Sequence, residues 1–340
     1  MTPEAALRQG RWVKLICGAG NQDLAAIEDL CALYAAAGVH CIDIAADRAV
    51  AAAARRGMAW AEARGAGRPW LMLSLNDGDD PHFRKAHFDP GRCPSDCPRP
   101  CQRVCPAEAI TSGAGVLAER CYGCGRCLPA CPLGLIEEQQ QLLSPEEVPA
   151  LLRDVQPDAI ELHTQAGRQT AFAARLTQVQ ASGISLKRLA VSCGVERGSG
   201  AQATSGAALT ARELAQELWQ RFLEVRRAGF RPLWQLDGRP MSGDVGAGTA
   251  RAAVKLLQEV RAWAPPGPLQ LAGGTNAHTL ALLEPGSGAA GVAFGGMARS
   301  LLQPLLLQAE ASGVPLRNSP ALREQAQERI QGLIGPWLSR

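Results

Sequence analysis

Residues 12–46 read WVKLICGAGNQDLAAIEDLCALYAAAGVHCIDIAA, and this stretch contains the repeating unit of the fold. The apolar run 12–18 predicts a strand, residues 23–38 carry apolar side chains at helical spacing, and 39–46 predict a second strand. One strand–helix–strand unit of this kind is the building block of a parallel sheet covered by helices.

The same alternation of strand-like and helical segments continues along the chain. Further strand-like runs occupy 69–77, 158–164, 189–194, 231–240, 269–274 and 290–296. A cysteine-rich segment follows the third run, and helical segments follow the others. Eight units predict a parallel (β/α)8 barrel, because roughly 250 residues remain without about 60 residues of insertion and about 25 of tail. A doubly wound open sheet is the alternative, although it does not need eight equal repeats.

The predicted elements divide the chain into four parts. We expect residues 1–79 to form strands one to three of the barrel, 80–140 a ferredoxin-like insertion, 141–312 the rest of the barrel and 313–340 a helical tail. A stripe of apolar residues predicts that the tail helix packs on the barrel; it comprises Leu322, Ala326, Ile330, Leu333 and Ile334. Membrane docking of this helix is the alternative, which the narrow stripe and the mixed charge opposite it disfavour.

The composition limits the classes of function. The 340 residues are 46% apolar and 4% aromatic, with a formal net charge of +3. A nucleic-acid surface needs concentrated lysine and arginine, and single-stranded nucleic acid needs aromatic platforms, so no nucleic-acid partner is expected. The chain has no run of about 18 apolar residues and no apolar signal core near residue 1, so we expect a cytoplasmic protein without a membrane span.

The cysteines form two groups. Twelve cysteines in a cytoplasmic protein are expected to be metal ligands or buried apolar residues rather than disulfides. Four lie singly in apolar runs and are predicted to be buried: Cys17, Cys31, Cys41 and Cys193. The other eight fall between Cys93 and Cys131, and this clustering indicates a metal centre.

Residues 121–132, CYGCGRCLPACP, have the C-x2-C-x2-C-x3-C-P spacing of bacterial ferredoxins. In that pattern three neighbouring thiolates hold one iron–sulfur cube, and the fourth ligates the other cube. Gly123 and Gly125 allow the sharp turns between the ligands. The preceding segment repeats the plan with wider spacing, since its tail CPAEAI matches the later CPLGLI. Its prolines exclude a regular helix.

We therefore predict two [4Fe–4S] clusters. The first has the ligands Cys93, Cys97, Cys101 and Cys131, and the second has the ligands Cys105, Cys121, Cys124 and Cys127. A tetrahedral zinc site also uses C-x2-C pairs, but it does not need a third cysteine at the same interval or a trailing Cys-Pro. A radical-type cluster needs C-x3-C-x2-C, whereas the first three cysteines here are separated by three and three residues.

Polar and glycine residues collect where the predicted strands end. Paired glycines after strands seven and eight are typical of phosphate sites in barrels, so a phosphate-bearing ligand or a flavin is expected at Gly273, Gly274, Gly295 and Gly296, supported by Thr275, Asn276 and Arg299. Tight turns are the alternative reason for these glycines. Further polar candidates are Asp237, Arg239, Asp244, Glu161, His163 and Lys14, which could do acid–base work.

The sequence does not contain the known nucleotide-binding motifs. The segment GAGNQD lacks the third glycine of G-x-G-x-x-G, and GDVGAGT has Thr249 where a P-loop needs lysine. The remaining histidines show no metal-ligand spacing and are interpreted as surface or structural residues: His40, His82, His87 and His278.

The chain resembles the cyanobacterial light-dependent period family of circadian clock input proteins. The resemblance rests on CYGCGRCLPACP, QLDGRPMSGDVGAGT and LAGGTNAHT, and it extends over nearly the full length. It implies an iron–sulfur protein that senses cellular redox state as light drives electron flow and relays this state to the clock. The implied partners are circadian clock proteins, an input histidine kinase and redox carriers.

Two hypotheses for the function follow. In the first, the clusters sense redox state by gaining or losing electrons, and the barrel changes its contacts with partners. In the second, the protein is an iron–sulfur oxidoreductase whose clusters pass electrons to a flavin or a phosphorylated substrate at the barrel mouth. Whether the protein is an enzyme stays open at this stage.

Overall fold

Eight parallel strands close into a barrel in the computed structural model, which describes residues 1–195, 208–239 and 246–340. The strands, here β1 to β8, pair in chain order, and β8 pairs with β1. They are Trp12–Gly18, Cys41–Ala45, Trp70–Asn76, Ala159–His163, Arg188–Gly194, Pro232–Asp237, Leu269–Ala272 and Ala289–Phe294. The closed sheet confirms the predicted (β/α)8 barrel and excludes the open doubly wound sheet.

Helices cover the outside of the barrel, as the apolar periodicity predicts. They are Leu24–Ala37, Arg48–Glu62, Glu147–Val155, Gln169–Ala181, Ala211–Arg227, Ala250–Val260 and Gly296–Ser312. The prediction was wrong after β7, where a 3-10 turn, Leu280–Leu282, stands in place of an α-helix. Pro285 and two glycines with positive φ, Gly286 and Gly288, leave too short a segment for further helical turns.

The main core lies between the barrel strands and these helices. Strand residues such as Leu15, Ile42, Leu73 and Ile160 are at most 1% exposed and pack with apolar helix residues in one cluster. Burying each such side chain contributes about 1.5–3 kcal/mol of transfer free energy. The four isolated cysteines are all buried, as predicted: Cys17, Cys31, Cys41 and Cys193.

A short helix near residue 1, which was not predicted from the sequence, closes the amino-terminal end of the barrel. The helix Pro3–Gln9 begins after Thr2, whose hydroxyl accepts a hydrogen bond from the Ala5 amide. The Glu4 carboxylate lies 2.6 Å from the guanidinium of Arg188 at the start of β5 and 2.6 Å from that of Arg231 just before β6. These ion pairs join the helix to the barrel end opposite the insertion.

The tail forms the helix Pro320–Leu338, which packs against the helices Leu24–Ala37 and Gly296–Ser312. The predicted stripe is buried except for the half-buried Leu322, and Trp337, 1% exposed, extends it. The stripe is thus covered by the barrel helices, so the membrane-docking alternative loses its apolar face. Among the helices of the described ranges, none is both long and apolar enough to cross a membrane.

The cysteine-rich insertion leaves the barrel after β3 and has its own small core. A two-stranded antiparallel sheet pairs Arg84–His87 with Glu137–Gln140, and a second pairs Ile110–Thr111 with Gly115–Val116. The helix that follows the insertion begins at Glu147, whose amide donates to the Ser144 hydroxyl. The division of the chain into four parts expected from the sequence stays a prediction.

Candidate functional site

The thiols of the insertion fall into two sets. Desolvation, followed by the charges of Cys97 and Cys131, raises the pKa of the Cys93 thiol. Burial and the charges of Cys131 and Cys93 likewise raise the pKa of Cys101. Cys131 therefore faces the first set, although it follows the second set in the chain.

The second set includes Cys105, although this cysteine follows the first three clustered cysteines directly in the chain. Burial and the charges of Cys105 and Cys121 raise the pKa of the Cys124 thiol. Burial and the charges of Cys124, Cys121 and Cys105 raise the pKa of Cys127 to about 12. The same four cysteines line one small cavity of the insertion. Cys105 and Cys131, each followed by proline, thus lie near three cysteines from the other half of the repeat. That the two sets ligate two clusters stays a prediction.

Backbone amides point at the sulfur atoms, and they repeat the internal symmetry of the sequence. The amide of Ala109 donates to Cys105 Sγ at 3.2 Å, and the amide of Leu135 donates to Cys131 Sγ at 3.4 Å. In both cases the donor lies four residues after the cysteine of the Cys-Pro pair. In the second set, the amide of Ala86 donates to Cys121 Sγ at 3.3 Å. Such N–H···S bonds stabilise thiolates and raise the reduction potential of a cluster.

These residues fit an iron–sulfur group by the chemistry of their donors. Each set offers four thiols, which are the ligands that iron–sulfur clusters take. Burial and the neighbouring thiols raise the pKa of Cys124 and of Cys127, so thiolates at these two positions are poorly solvated and repelled by their neighbours, and cationic iron removes this cost. Apolar residues enclose the sulfurs: Ala86, Phe88, Ala109, Ile110 and Ile136.

Gly123 and Gly125 lie between the ligands of the second set, and both have φ of 74°. A Cβ on Gly123 would stand 2.0 Å from the Arg84 carbonyl oxygen, whereas one on Gly125 would have no atom closer than 3.9 Å. The turn at Gly123 therefore needs glycine for its conformation and for close approach to the strand Arg84–His87.

A cavity of about 120 Å³ opens at the carboxyl end of the barrel, below the insertion. Most candidates from the sequence line it: Asp237, Arg239, Gly273, Gly274, Thr275, Gly295, Gly296, Arg299, Glu161 and His163. Asn276 is buried beside it, where its amide nitrogen donates to the carbonyl oxygens of Gly246 and Ala247. Asp244 lies outside the described residues, as do residues 196–207.

The two glycine pairs differ in what their backbones require. Gly273 and Gly274 have φ of 69° and 87°, and a Cβ on either would lie within 3.0 Å of backbone atoms from neighbouring turns. These two glycines are explained by the tight turn after β7. Gly295 and Gly296 have no positive φ; they precede and begin the helix Gly296–Ser312, whose first residues line the cavity and whose first amides have no partner within the helix.

Arg299 joins the cavity to the cysteine-rich insertion. It is 9% exposed, and its guanidinium donates to the carbonyl oxygens of Ile16, at 3.3 Å, and Cys17, at 2.9 Å. The guanidinium lies 3.8 Å from the centre of the Tyr122 ring. Within the described residues its Nε has no hydrogen-bond partner. A buried cation with a spare donor next to helix amides can attract an anion.

A polar layer fills the interior of the barrel beneath the cavity. Lys14 is 0% exposed; its ammonium lies 2.9 Å from Asp43 Oδ2 and also contacts Glu161 Oε2. Burial opposes the ammonium, but the two carboxylates outweigh it and raise the pKa of Lys14. Burial also opposes the Glu161 carboxylate, yet Lys14 and His163 lower the pKa of Glu161 to about 2. Lys14 is thus a fixed cation rather than a nucleophile.

Several members of this layer were not predicted from the sequence. Gln235 bridges it by donating to Glu161 Oε1 at 2.7 Å and to Ser192 Oγ at 3.1 Å, and Ser74 donates to Asp43 Oδ1 at 2.8 Å. The sequence does contain a pattern that could have predicted the layer, because one polar residue lies within each of seven apolar strands. These residues are Lys14, Asp43, Ser74, Glu161, Ser192, Gln235 and Gln270.

The interpretation of His82 as a surface or structural residue was incomplete, because the structure places it at the barrel mouth. His82 Nδ1 lies 2.8 Å from Asp80 Oδ1, and the His82 and His163 ring centres are 5.0 Å apart. His163 Nε2 lies 3.0 Å from Glu161 Oε1. Burial lowers the pKa of His163, but the Glu161 carboxylate outweighs it and raises that pKa to about 9.

Comparison with known proteins agrees with this architecture. Residues 93–142 match the family model LdpA Fe-S cluster-binding domain, and residues 151–336 match Light dependent period A C-terminal domain. The chain belongs to the light dependent period A family. Light dependent period A from Synechococcus elongatus is 46% identical over 343 residues, which cover 98% of this chain and 93% of that relative. As a member of the family, the chain carries an iron–sulfur cluster-binding domain that includes all eight clustered cysteines.

Solved structures with a similar backbone share little sequence identity with this chain. The tryptophan synthase A-subunit from Pyrococcus furiosus is 12% identical, with a TM-score of 0.45 and coverage of 96% of this chain and 98% of that one. A fructose-1,6-biphosphate aldolase from Coccidioides immitis, described as putative, is 12% identical, with a TM-score of 0.44 and coverage of 99% and 93%. At these values the likeness says nothing about the activity of this chain.

Proposed function

We propose that this protein is a redox sensor with two [4Fe–4S] clusters that relays the light-dependent redox state of the cytoplasm to the circadian clock. The observation that carries the proposal is the exchange of Cys105 and Cys131 between the two thiol sets. Two four-iron clusters in one small module use this arrangement. The clock and light part rests on membership in the light dependent period A family.

The spacing of the thiols supports four-iron clusters over zinc. A single tetrahedral zinc ion binds sulfur at about 2.3 Å, which brings the sulfur atoms to about 4 Å from one another. Among the described residues, no three cysteine sulfurs lie within 4.8 Å of one another. A four-iron cluster binds one thiolate at each iron, so its ligand sulfur atoms lie farther apart than those around a single zinc ion.

A path from the second cluster to the barrel supports sensing. Tyr122 lies between two predicted ligands, Cys121 and Cys124, and its ring contacts the Arg299 guanidinium. An electron added to the cluster places negative charge near this buried cation. A change in the position of Arg299 acts on β1, through the carbonyl oxygens of Ile16 and Cys17, and on the helix Gly296–Ser312.

A binding experiment at controlled potential tests the proposal. The holoprotein is titrated without oxygen with a mediator series, while visible absorption and electron paramagnetic resonance report cluster reduction. At each potential its affinity for the input histidine kinase and for clock proteins is measured. The proposal predicts that affinity changes at least tenfold across the same potential at which a cluster is reduced. Affinity that is equal in both redox states contradicts it.

An iron–sulfur oxidoreductase is the second candidate, favoured by the cavity at the barrel mouth. The helix amides at Gly296 and the spare donor of Arg299 suit an anionic group such as phosphate. A cavity of about 120 Å³ is smaller than those that enclose a whole cofactor of drug size, which argues for a small phosphorylated substrate over a flavin. Reoxidation of the reduced clusters by a small phosphorylated compound would favour the enzyme.

A further inference from the structure

We propose that Asp80, His82 and His163 bind one divalent transition-metal ion at the barrel mouth, separate from the iron–sulfur clusters. One ligand atom from each residue lies within 4.8 Å of the other two. No other group of three His, Cys, Asp or Glu residues in the described ranges meets this distance. The inference is independent of what the clusters do.

The three residues come from two parts of the chain. His163 is the last residue of β4, and Asp80 and His82 belong to the first turn of the insertion. Asp80 caps that turn by accepting the His82 amide at 2.8 Å. The Phe83 ring packs edge-on against the His163 ring, with ring centres 5.1 Å apart. The turn and the strand end are therefore held in a fixed relationship before any ion arrives.

The donor set is typical of transition-metal centres. Two imidazoles and one carboxylate bind Zn²⁺ or Fe²⁺ at about 2.0–2.2 Å and leave coordination positions open. The contact between His163 Nε2 and Glu161 Oε1 orients the ring, so Nδ1 is the nitrogen left for the ion. His82 Nδ1 and Asp80 Oδ1, 2.8 Å apart, separate slightly to admit the ion between them.

The surrounding charge suits a cation. Asp80 is 6% exposed, and Asp237 and Glu161 face the same region through their interactions with the two histidines. The open positions of the ion face the cavity that His82, His163 and Asp237 line together. An anionic oxygen of a small ligand could occupy them, with its other end toward the helix amides at Gly296.

Binding of Mn²⁺ to the holoprotein tests the proposal, because Mn²⁺ prefers oxygen and nitrogen to the thiolates of the clusters. Oxidised [4Fe–4S]²⁺ clusters give no paramagnetic signal, so the six-line signal of free Mn²⁺ can be counted directly. We expect one Mn²⁺ per chain, displaced by Zn²⁺. His82→Ala and Asp80→Asn should weaken binding at least tenfold.

His87→Ala is the matched control, since His87 is an exposed histidine of the same insertion outside the three-residue group. It should bind Mn²⁺ like the natural protein. Cluster absorption, recorded in each sample, shows that the variants are folded. The proposal is overturned if the natural protein binds no Mn²⁺, or if His82→Ala and Asp80→Asn both bind it with unchanged affinity.

Discussion

The Arg299 guanidinium lies 3.8 Å from the centre of the Tyr122 ring, and this contact joins the barrel to the iron–sulfur insertion. Tyr122 stands between two cysteines of the second thiol set, and Arg299 lies in the first turn of the helix that ends the barrel. The insertion is therefore connected to the cavity by a buried cation and not only by its two chain connections.

This contact should show as a coupling energy between the two residues. We expect a double-mutant cycle with Arg299→Met and Tyr122→Leu to give about 2 kcal/mol, because the cation is desolvated. The matched control is Arg64→Met with Trp60→Leu, where the same distance of 3.8 Å occurs with an exposed arginine. That pair should give only about 0.5–1 kcal/mol. Chemical unfolding without oxygen measures both cycles, and equal values would contradict the expectation.

Gly123→Ala and Gly125→Ala should separate close approach from backbone strain. Both positions have φ of 74°, but only at Gly123 would the new methyl group meet a carbonyl oxygen, that of Arg84, at 2.0 Å. We expect Gly125→Ala to cost about 1–2 kcal/mol of stability and to keep its iron. Gly123→Ala should lose the iron of the second cluster. Iron content per chain checks both variants, and full iron in Gly123→Ala would show that the loop can move away from Arg84.

Lys14→Met should destabilise the barrel strongly. It leaves the buried carboxylates of Asp43 and Glu161 without their cation, which costs about 3–5 kcal/mol. The double variant Lys14→Met, Asp43→Asn should recover part of this loss. Lys255→Met is the control, because the exposed pair of Lys255 with Glu259 contributes at most about 0.5 kcal/mol. The free energy of unfolding measures all three, and a small effect at Lys14 would refute the buried network.

His40 should make stability depend on pH. It is 7% exposed, and its Nδ1 accepts the Val13 amide at 3.2 Å. Burial, with the positive amino terminus and Arg11, lowers the pKa of His40 to about 4. The unfolded chain, with an ordinary pKa of about 6.5, binds the proton more readily, so stability falls as the pH drops through 6.5 towards 4.

His40→Asn removes the titrating group and keeps an acceptor near the position of Nδ1. Between pH 7 and pH 5 the natural protein should lose about 2 kcal/mol more stability than this variant. Unfolding free energies at the two pH values provide the comparison. Parallel pH dependence in the two proteins would mean that His40 is not the responsible group.

Much of the barrel was predictable because parallel strands buried on both faces leave continuous apolar runs, such as residues 70–76. The absence of an α-helix after β7 was not predicted, because the apolar residues of HTLALLEPGSG resemble the start of a helix. The cluster ligands were predicted from the spacing of the cysteines in the sequence alone, because these cysteines lie close together in the chain. Only part of the polar layer was predicted from the sequence, because each of its residues is a single polar position within an otherwise apolar strand.

The metal-binding group at the mouth could not be found from spacing. His82 and His163 are 81 positions apart in the chain, and Asp80 and His82 lie in an irregular segment without periodicity. Only closure of the barrel and the return of the insertion over its mouth bring them together. The exchange of Cys105 and Cys131, in contrast, follows from an internal repeat that the sequence itself displays.

Counting iron and acid-labile sulfide in protein purified without oxygen tests whether the insertion holds two [4Fe–4S] clusters. The account predicts about eight iron atoms and about eight sulfides per chain. Cys97→Ser and Cys124→Ser should each lower both numbers by about half, because each removes a ligand from a different set. Zinc in place of iron, or about four iron atoms in the natural protein with only one of the two variants affected, would contradict the account.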